Sequence, residues 1–329
     1  MAQELELWQF IADRLHRGES VMLLVVAESS GSSPGRAGYK MAVGADGSLI
    51  GSIGGGVMEV ELVERAKVKG NQAQGKNKSG VHNPQSAISE QVHQQNVPNS
   101  SGMICSGRQS VIMRQLTTAD AETVKLVIDA VENKKPASLT ITQSNLTMEP
   151  PKGGTPNTEF EKLSETEFIY AEQIGPQNKL FIIGGGHCAL ALSEVMSLLG
   201  FQISIFDDRP DLNTLEKNRF ADTVTVIDSY ENIADHVPAG SENHVVVMTL
   251  GYKFDEIVIR SLFDHEFRYF GVLGSKAKMK TLLSTLEKEG YERERLSRIR
   301  TPIGLAINSR TPEEIAISIA AEIIKIKNS

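Results

Sequence analysis

An apolar pentapeptide, Lys179-Leu-Phe-Ile-Ile183, runs directly into Gly184-Gly-Gly-His-Cys-Ala189 and then into the apolar run ALALSEVMSLLG. A second short apolar run (203–206) leads into Asp207-Asp208, and Asp207 lies 21 residues beyond Gly186. No other feature of the chain limits its fold as tightly. A strand feeding a GxGxxA turn and then a helix is how a Rossmann-type βαβ unit begins. The glycines permit the tight turn, the helix start offers free N–H groups to a phosphate, and an acid closing the second strand can accept from ribose hydroxyls. Short apolar strands recur at 224–227, 245–248 and 269–273, with helical segments between most of them. That rhythm predicts an α/β, doubly wound parallel sheet. Gly184, Gly186, His187 and Asp207 are the residues expected to meet NAD(P) or another nucleotide. The alternative is a turn that serves only the fold. His187 reads equally as ligand-facing or as an ordinary polar residue at a helix start, and Cys188 reads as packing.

This half accounts for residues 176–329 of a chain of 329, more than one core usually organises, so a first domain is expected over residues 1–175. There the pattern predicts a helix at 4–17, strands at 21–28, 39–43 and 48–53, and a helix from Val57 that ends before Gly70. Ala45-Asp46-Gly47 supplies the turn of a hairpin. Residues 70–101, rich in Asn, Gln, Ser and Gly and without an aromatic ring, read as a loop or linker. A strand at 107–116, a helix at 119–133 and a strand at 137–143 follow, and the Pro/Gly-rich stretch 149–157 reads as a surface loop. The expected architecture is thus an N-terminal α/β domain and a C-terminal Rossmann-like domain.

Several function classes are disfavoured. A formal net charge of −7 does not suit general nucleic-acid binding, which needs a basic surface. The longest apolar run, Val21 to Ala27, is too short to span a bilayer, and MAQELELWQF has no signal-peptide pattern, so a cytoplasmic protein without a membrane partner is expected. The two cysteines, Cys105 and Cys188, form no CxxC or Cys/His set, which argues against structural zinc and a disulfide framework.

Two N-terminal segments suit an anion. In Glu28-SSGSSPGRAGY-Lys40, Ser33 lies among small residues, with Arg36 and Lys40 on the far side. In Gly51-SIGG-Gly56, Gly54, Gly55 and Gly56 expose backbone N–H groups just before a helix that carries Glu59 in its early turns. The plainer reading is that the glycines serve tight turns and close packing. Cys105, within Gly102-MICS-Gly107, is a soft thiol that could approach a metal-bearing ligand or take part in sulfur transfer; a lone cysteine is otherwise a small buried hydrophobe.

GSSPGRAGYKMAV, GSIGGGVMEVELVERA and GMICSG resemble, in that order, the N-terminal hallmarks of the XdhC/CoxI family. The resemblance continues in the glycine turn with His187, in FDDRPD, in FGVLGSKAKM (270–279) and in TPIGLAINSRTPEEIAISIAAEII (301–324). It implies an accessory factor, a chaperone of molybdenum cofactor (molybdopterin) rather than an enzyme. Such a factor would support sulfuration of the cofactor and its insertion into an apo xanthine dehydrogenase-type enzyme. Cys105 would then contact the molybdenum, and Ser33, Arg36, Lys40, Gly54, Gly55, Gly56 and Glu59 would line the cofactor site. A cysteine desulfurase as a further partner and a homo-oligomeric state are also expected. The sequence departs from the family pattern at Ser106, at Thr249-Leu250, at Arg300, and at Ala306 and Asn308. An NAD(P)-dependent oxidoreductase built on the Rossmann half is the second reading, weakened because no acid/base or nucleophile–base pair stands near the turn. At the C-terminus Thr311-Pro-Glu-Glu314 has the features of a helix start, and Glu313, Glu314 and Glu322 read as capping and solvated acids.

Overall fold

The computed structural model describes residues 2–74, 86–93, 107–151, 158–176 and 178–329. The chain divides into two compact units, one ending at Gly175 and the other beginning at Pro176.

In the first unit, α1 (Ala2–His16) buries Leu7, Trp8, Ile11 and Leu15 from one stripe. The strands β1 (Val21–Gly31), β2 (Lys40–Gly44), β3 (Leu49–Gly51), β4 (Ser86–His93) and β5 (Gly107–Leu116) form an antiparallel sheet in the order β3-β2-β1-β5-β4. β1 is central and buried on both faces, which explains its unbroken apolar run. Leu23, Val25 and Ala27 join one core with α1 and α3 (Ala121–Glu132). Met22, Leu24 and Val26 join another with Leu62, Val63 and Ala66 of α2 (Gly56–Gln74). That split is the two-residue period of a strand at work. A second antiparallel sheet, β7-β6-β9-β8, is built from β6 (Ala137–Thr142), β7 (Leu146–Glu149), β8 (Thr158–Lys162) and β9 (Phe168–Ile174).

Three expectations need correction here. Helix α2 does not stop before Gly70 but continues to Gln74. The polar stretch is not all linker, because Ser86–His93 pairs with β5 from Gly107 to Arg114 at the edge of the sheet. An edge strand is held by ladder hydrogen bonds and needs few apolar side chains, so composition conceals it. The strands β7, β8 and β9 were not anticipated either.

The second unit is a parallel sheet in the order β12-β11-β10-β13-β14. Its strands are β10 (Lys179–Ile183), β11 (Gln202–Asp207), β12 (Thr223–Val226), β13 (Gly240–Val247) and β14 (Phe267–Val272). The helices are α4 (His187–Leu198), α5 (Asn213–Glu216), α6 (Tyr252–Leu262), α7 (Lys276–Lys288), α8 (Arg293–Arg298) and α9 (Pro312–Lys327). Residues from α4 and α9 share a core with Leu180, Ile182, Ile203 and Ile205. Residues from α6, α7 and α8 share another with Phe181, Ile183, Val245 and Val247. Both faces are therefore covered, and the doubly wound Rossmann reading holds. Thr311 and Glu314 form the expected capping box, with Pro312 in the first turn. Glu322 departs from the expectation of a solvated acid: one of its oxygens accepts from the Tyr269 hydroxyl (2.6 Å) and from the Gly304 N–H (2.9 Å). Among the described residues no helix is long and apolar enough to cross a membrane.

Candidate functional site

The two N-terminal glycine loops meet backbone to backbone. A Cβ on Gly54 would stand 2.5 Å from the Gly35 nitrogen, and one on Gly35 would stand 2.2 Å from the Ile53 carbonyl oxygen. Only glycine fits at either position. Gln109 of β5, 2% exposed, ties the two loops together. Its Oε1 accepts from the Ser33 hydroxyl (2.7 Å) and the Gly35 N–H (3.3 Å), while its Nε2 donates to the Ile53 carbonyl (3.4 Å). Gln109 was not singled out from sequence, because its partners lie 76 and 56 residues away and carry no local signature.

The phosphate-cradle reading is corrected by Glu59. Its Oε2 accepts from the Ser52 hydroxyl (2.7 Å), the Ile53 N–H (2.9 Å) and the Gly55 N–H (2.9 Å). The loop's donors already point at an anion, and that anion is the chain's own carboxylate. Gly54, Gly55 and Gly56 all have positive φ, so the glycines serve the shape of the turn. Ser33 is buried and spends its hydroxyl on Gln109. Lys40 is no free cation: its Nζ lies 2.8 Å from Glu172 and 3.2 Å from Glu4, with the side chain nearly buried. Burial alone would lower its pKa, but the carboxylates of Glu172 and Glu4 outweigh burial and hold the ammonium above its ordinary range. Arg36 stays exposed, with one N–H on the Gly31 carbonyl. Cys105 and Ser106 lie outside the described residues.

Beside these loops is a cavity of about 560 Å³ lined by Ser29, Ser30, Arg108, Ser110 and Phe160 among others. It offers one exposed guanidinium, the exposed carboxylate of Glu28, several hydroxyls and an aromatic ring. Gly107, which precedes Arg108, is pressed so close that a Cβ would fall 2.5 Å from the Ser33 nitrogen. The start of β5 is thereby fixed against the first glycine loop.

In the second unit the glycine turn has the predicted geometry but a different use of its acid. Gly184 has φ +105°, and a Cβ there would reach 2.3 Å from the Met248 carbonyl oxygen. A Cβ on Gly186 would meet nothing within 4 Å, so that position lies open to a ligand at the start of α4. Asp207 does not face a ribose. It is 0% exposed, and its carboxylate accepts from the Gly185 N–H (2.6 Å), the Arg209 N–H (3.0 Å) and the Arg209 guanidinium (2.8 and 2.7 Å). Burial would raise its pKa, but the Arg209 head and the two backbone N–H groups prevail and hold it below the usual carboxylate range. His187 is exposed, and with Gly186 and Arg209 it lines a pocket of about 500 Å³ at the carboxyl ends of β10, β11 and β13. This is where ligands bind in open α/β sheets. Among the described residues no carboxylate lines it. Cys188 is half-buried, and burial, aided by Glu313, raises its thiol pKa, as for a packing residue.

These features define a class: a glycine-loop α/β unit followed by a Rossmann unit whose acid is locked by an arginine. The sequence matches the XdhC Rossmann domain over residues 180–323 and the XdhC and CoxI family over residues 14–74. The chain belongs to the XdhC and CoxI family. It is 24% identical over 327 residues to a probable xanthine dehydrogenase subunit of Bacillus subtilis (strain 168), covering 94% of each chain. It is 25% identical over 306 residues to the uncharacterized protein YqeB of Escherichia coli (strain K12); that match takes in 92% of this chain but spans only 43% of the relative's length. The fold is similar to that in a crystal structure of a xanthine dehydrogenase from Bacillus halodurans, with a TM-score of 0.68, 22% identity, and coverage of 99% of this chain and 96% of that one.

Proposed function

We propose that this chain is an accessory factor for a xanthine dehydrogenase-type molybdenum hydroxylase, and that its N-terminal unit carries molybdenum cofactor for sulfuration and insertion. The observation that carries the second part is the cavity beside the glycine loops. The loops themselves do not fit a phosphate while Glu59 fills their donors. The adjoining space fits better: Arg108 suits a phosphate seated away from the Glu28 carboxylate, Ser29, Ser30 and Ser110 suit the polar edge of a pterin, and Phe160 suits its face. The bound cofactor would supply a molybdenum centre, for which Cys105, two residues before Gly107, is a soft ligand. The role beside a xanthine dehydrogenase follows the names of the relatives, and a cysteine desulfurase is the natural sulfur source for it. The second unit, on this proposal, takes a nucleotide by its phosphate at Gly186 and the start of α4. The open Gly186 supports that reading, while the absence of a lining carboxylate among the described residues weighs against use as an NAD(P)-dependent oxidoreductase.

The test is expression in a host that makes the cofactor, followed by assay of released pterin and molybdenum and of activation of an apo molybdenum hydroxylase. Wild-type protein should carry pterin and activate the client. Arg108→Ala should lose pterin by at least tenfold, and Cys105→Ser should lose activation. A wild-type protein that carries no pterin and activates nothing overturns the proposal.

A further inference from the structure

β14 is an edge strand of the Rossmann sheet. Among the described residues, the chain beside its outer side is the segment around Arg300, which forms an isolated parallel bridge to Gly271. There the Arg300 N–H donates to the Phe270 carbonyl (2.8 Å) and the Val272 N–H donates to the Arg300 carbonyl (2.9 Å). By strand alternation Arg268 also turns its N–H and C=O outward. Among the described residues no strand continues along this earlier part of β14. A groove of about 310 Å³ lies there instead, walled by Phe267, Phe270, Arg268, Arg295, Arg298 and Arg300.

The charge of this groove runs against that of the protein. Four arginines and one carboxylate, Glu266, line it, in a chain whose formal net charge is −7. Arg268 donates to the Ile326 and Lys327 carbonyls (2.9 and 3.3 Å), and Arg295 pairs with Asp264 (3.0 Å) and Glu292 (3.4 Å) and Arg298 with Glu294 (3.3 Å) and Glu266 (3.5 Å), but these carboxylates are 72–90% exposed. Such surface pairs hold weakly and exchange readily for another carboxylate. Arg300 is exposed and makes no ion pair among the described residues. The guanidinium forks suit carboxylates better than lysines would, since each can engage both oxygens.

We propose that this edge is a docking groove for an extended, acidic peptide segment of a partner protein, which adds as a further strand on β14 where the Arg300 bridge leaves off. The N–H and C=O of Arg268 and the N–H of Phe270 supply the ladder, the Phe270 carbonyl being taken by Arg300. Acidic side chains on one face of the added strand meet Arg295 and Arg298 of α8, on the side of the sheet where Phe267 and Phe270 also pack. The edge favours a strand over a small anion because an unpaired row of N–H and C=O groups is satisfied only by another backbone.

The probe is a fluorescein-labelled heptapeptide of alternating Glu and Val, titrated with the full-length protein in a fluorescence anisotropy assay. Three comparisons accompany it: the same peptide with Lys for Glu, the peptide with alternate backbone amides N-methylated in either register, and inorganic phosphate as competitor. The acidic peptide should bind with a Kd below about 1 mM and weaken at least tenfold on R298E/R300E protein whose circular dichroism is unchanged. The lysine peptide should not bind, and one of the N-methylated registers should weaken at least tenfold. No binding of the acidic peptide, equal binding by both N-methylated registers, displacement by millimolar phosphate, or indifference to R298E/R300E overturns the proposal. So does sedimentation showing a wild-type dimer that this double reversal dissolves, because the occupant would then be a second copy.

Discussion

Replacing Arg209 with alanine probes whether the Rossmann acid is a structural tie. The wild-type carboxylate of Asp207 has four donors, two of them on the Arg209 guanidinium at 2.8 and 2.7 Å. Arg209→Ala leaves the Gly185 and Arg209 backbone N–H groups, at 2.6 and 3.0 Å, to support a carboxylate with no solvent contact. Breaking a buried ion pair by removing one partner costs about 3–5 kcal/mol. The Arg209 head is itself one-third exposed and two donors survive, so about 2–3 kcal/mol is expected. For a unit of this size that lowers the thermal midpoint by about 4–12 °C. Urea titration read by hydrogen exchange on peptides spanning β10 to β11 measures the loss where it arises. Asp207→Asn/Arg209→Ala should be less destabilised than the two single losses added together, by more than about 0.5 kcal/mol. The sign of the pH effect is fixed as well. Asp207 titrates below its unfolded value, so its stabilisation is present above the unfolded pKa and is lost as pH falls through the folded one. Without Arg209 the folded pKa rises, and the stabilisation fades at higher pH than in the wild type. Strictly additive single variants, or an Arg209→Ala protein as stable as wild type, would refute the tie.

His244 is fully buried in β13, and burial pushes its pKa down to about 4. Between pH 6.5 and 4 the unfolded chain takes up a proton that the folded chain refuses, so wild-type stability should fall by about 3 kcal/mol across that window; His244→Leu, compared by urea midpoints at pH 7 and 4.5, should fall by less. Gly184→Ala combines φ +105° with a 2.3 Å clash on the Met248 carbonyl and should cost more than about 2 kcal/mol in thermal unfolding. Gly186→Ala, free of both problems, should stay within about 1 kcal/mol of wild type; on the proposal that a nucleotide phosphate sits there, it should weaken NADP binding at least tenfold in titration calorimetry. Gln109→Ala strips acceptors from Ser33 and Gly35 and a donor from Ile53, so it should cost about 2–3 kcal/mol by chemical denaturation; a loss under about 0.5 kcal/mol would show the two loops hold without it.

The sequence made the Rossmann half legible because each of its signals is local. The strand at 179–183, the glycine turn and the capping box at Thr311 each fit within a dozen residues, and each stands where it was expected. Part of what stayed hidden depends on partners distant in the chain, and part on where a near neighbour's side chain turns. β4 looks polar because its stability comes from β5 across a ladder. Asp207 has the spacing of a ribose acid, and only the fold shows that Arg209 reaches it first. Lys40 resembles a ligand-binding cation until β9 brings Glu172 to its side. Charged residues near glycine loops thus carry two meanings that composition and spacing alone do not separate.

If the cavity beside the glycine loops takes a cargo, as proposed, Glu59 has a consequence for the timing of its exchange. A loop whose N–H groups already have an acceptor keeps its shape with or without a guest. Nothing in it has to freeze when a molecule arrives beside it, and nothing has to melt when that molecule leaves. Loading and release then proceed at rates set by the guest's own contacts rather than by rearrangement of the wall. On the proposal that the chain carries a cofactor, a wall that is already set shortens the interval in which the guest is only half held.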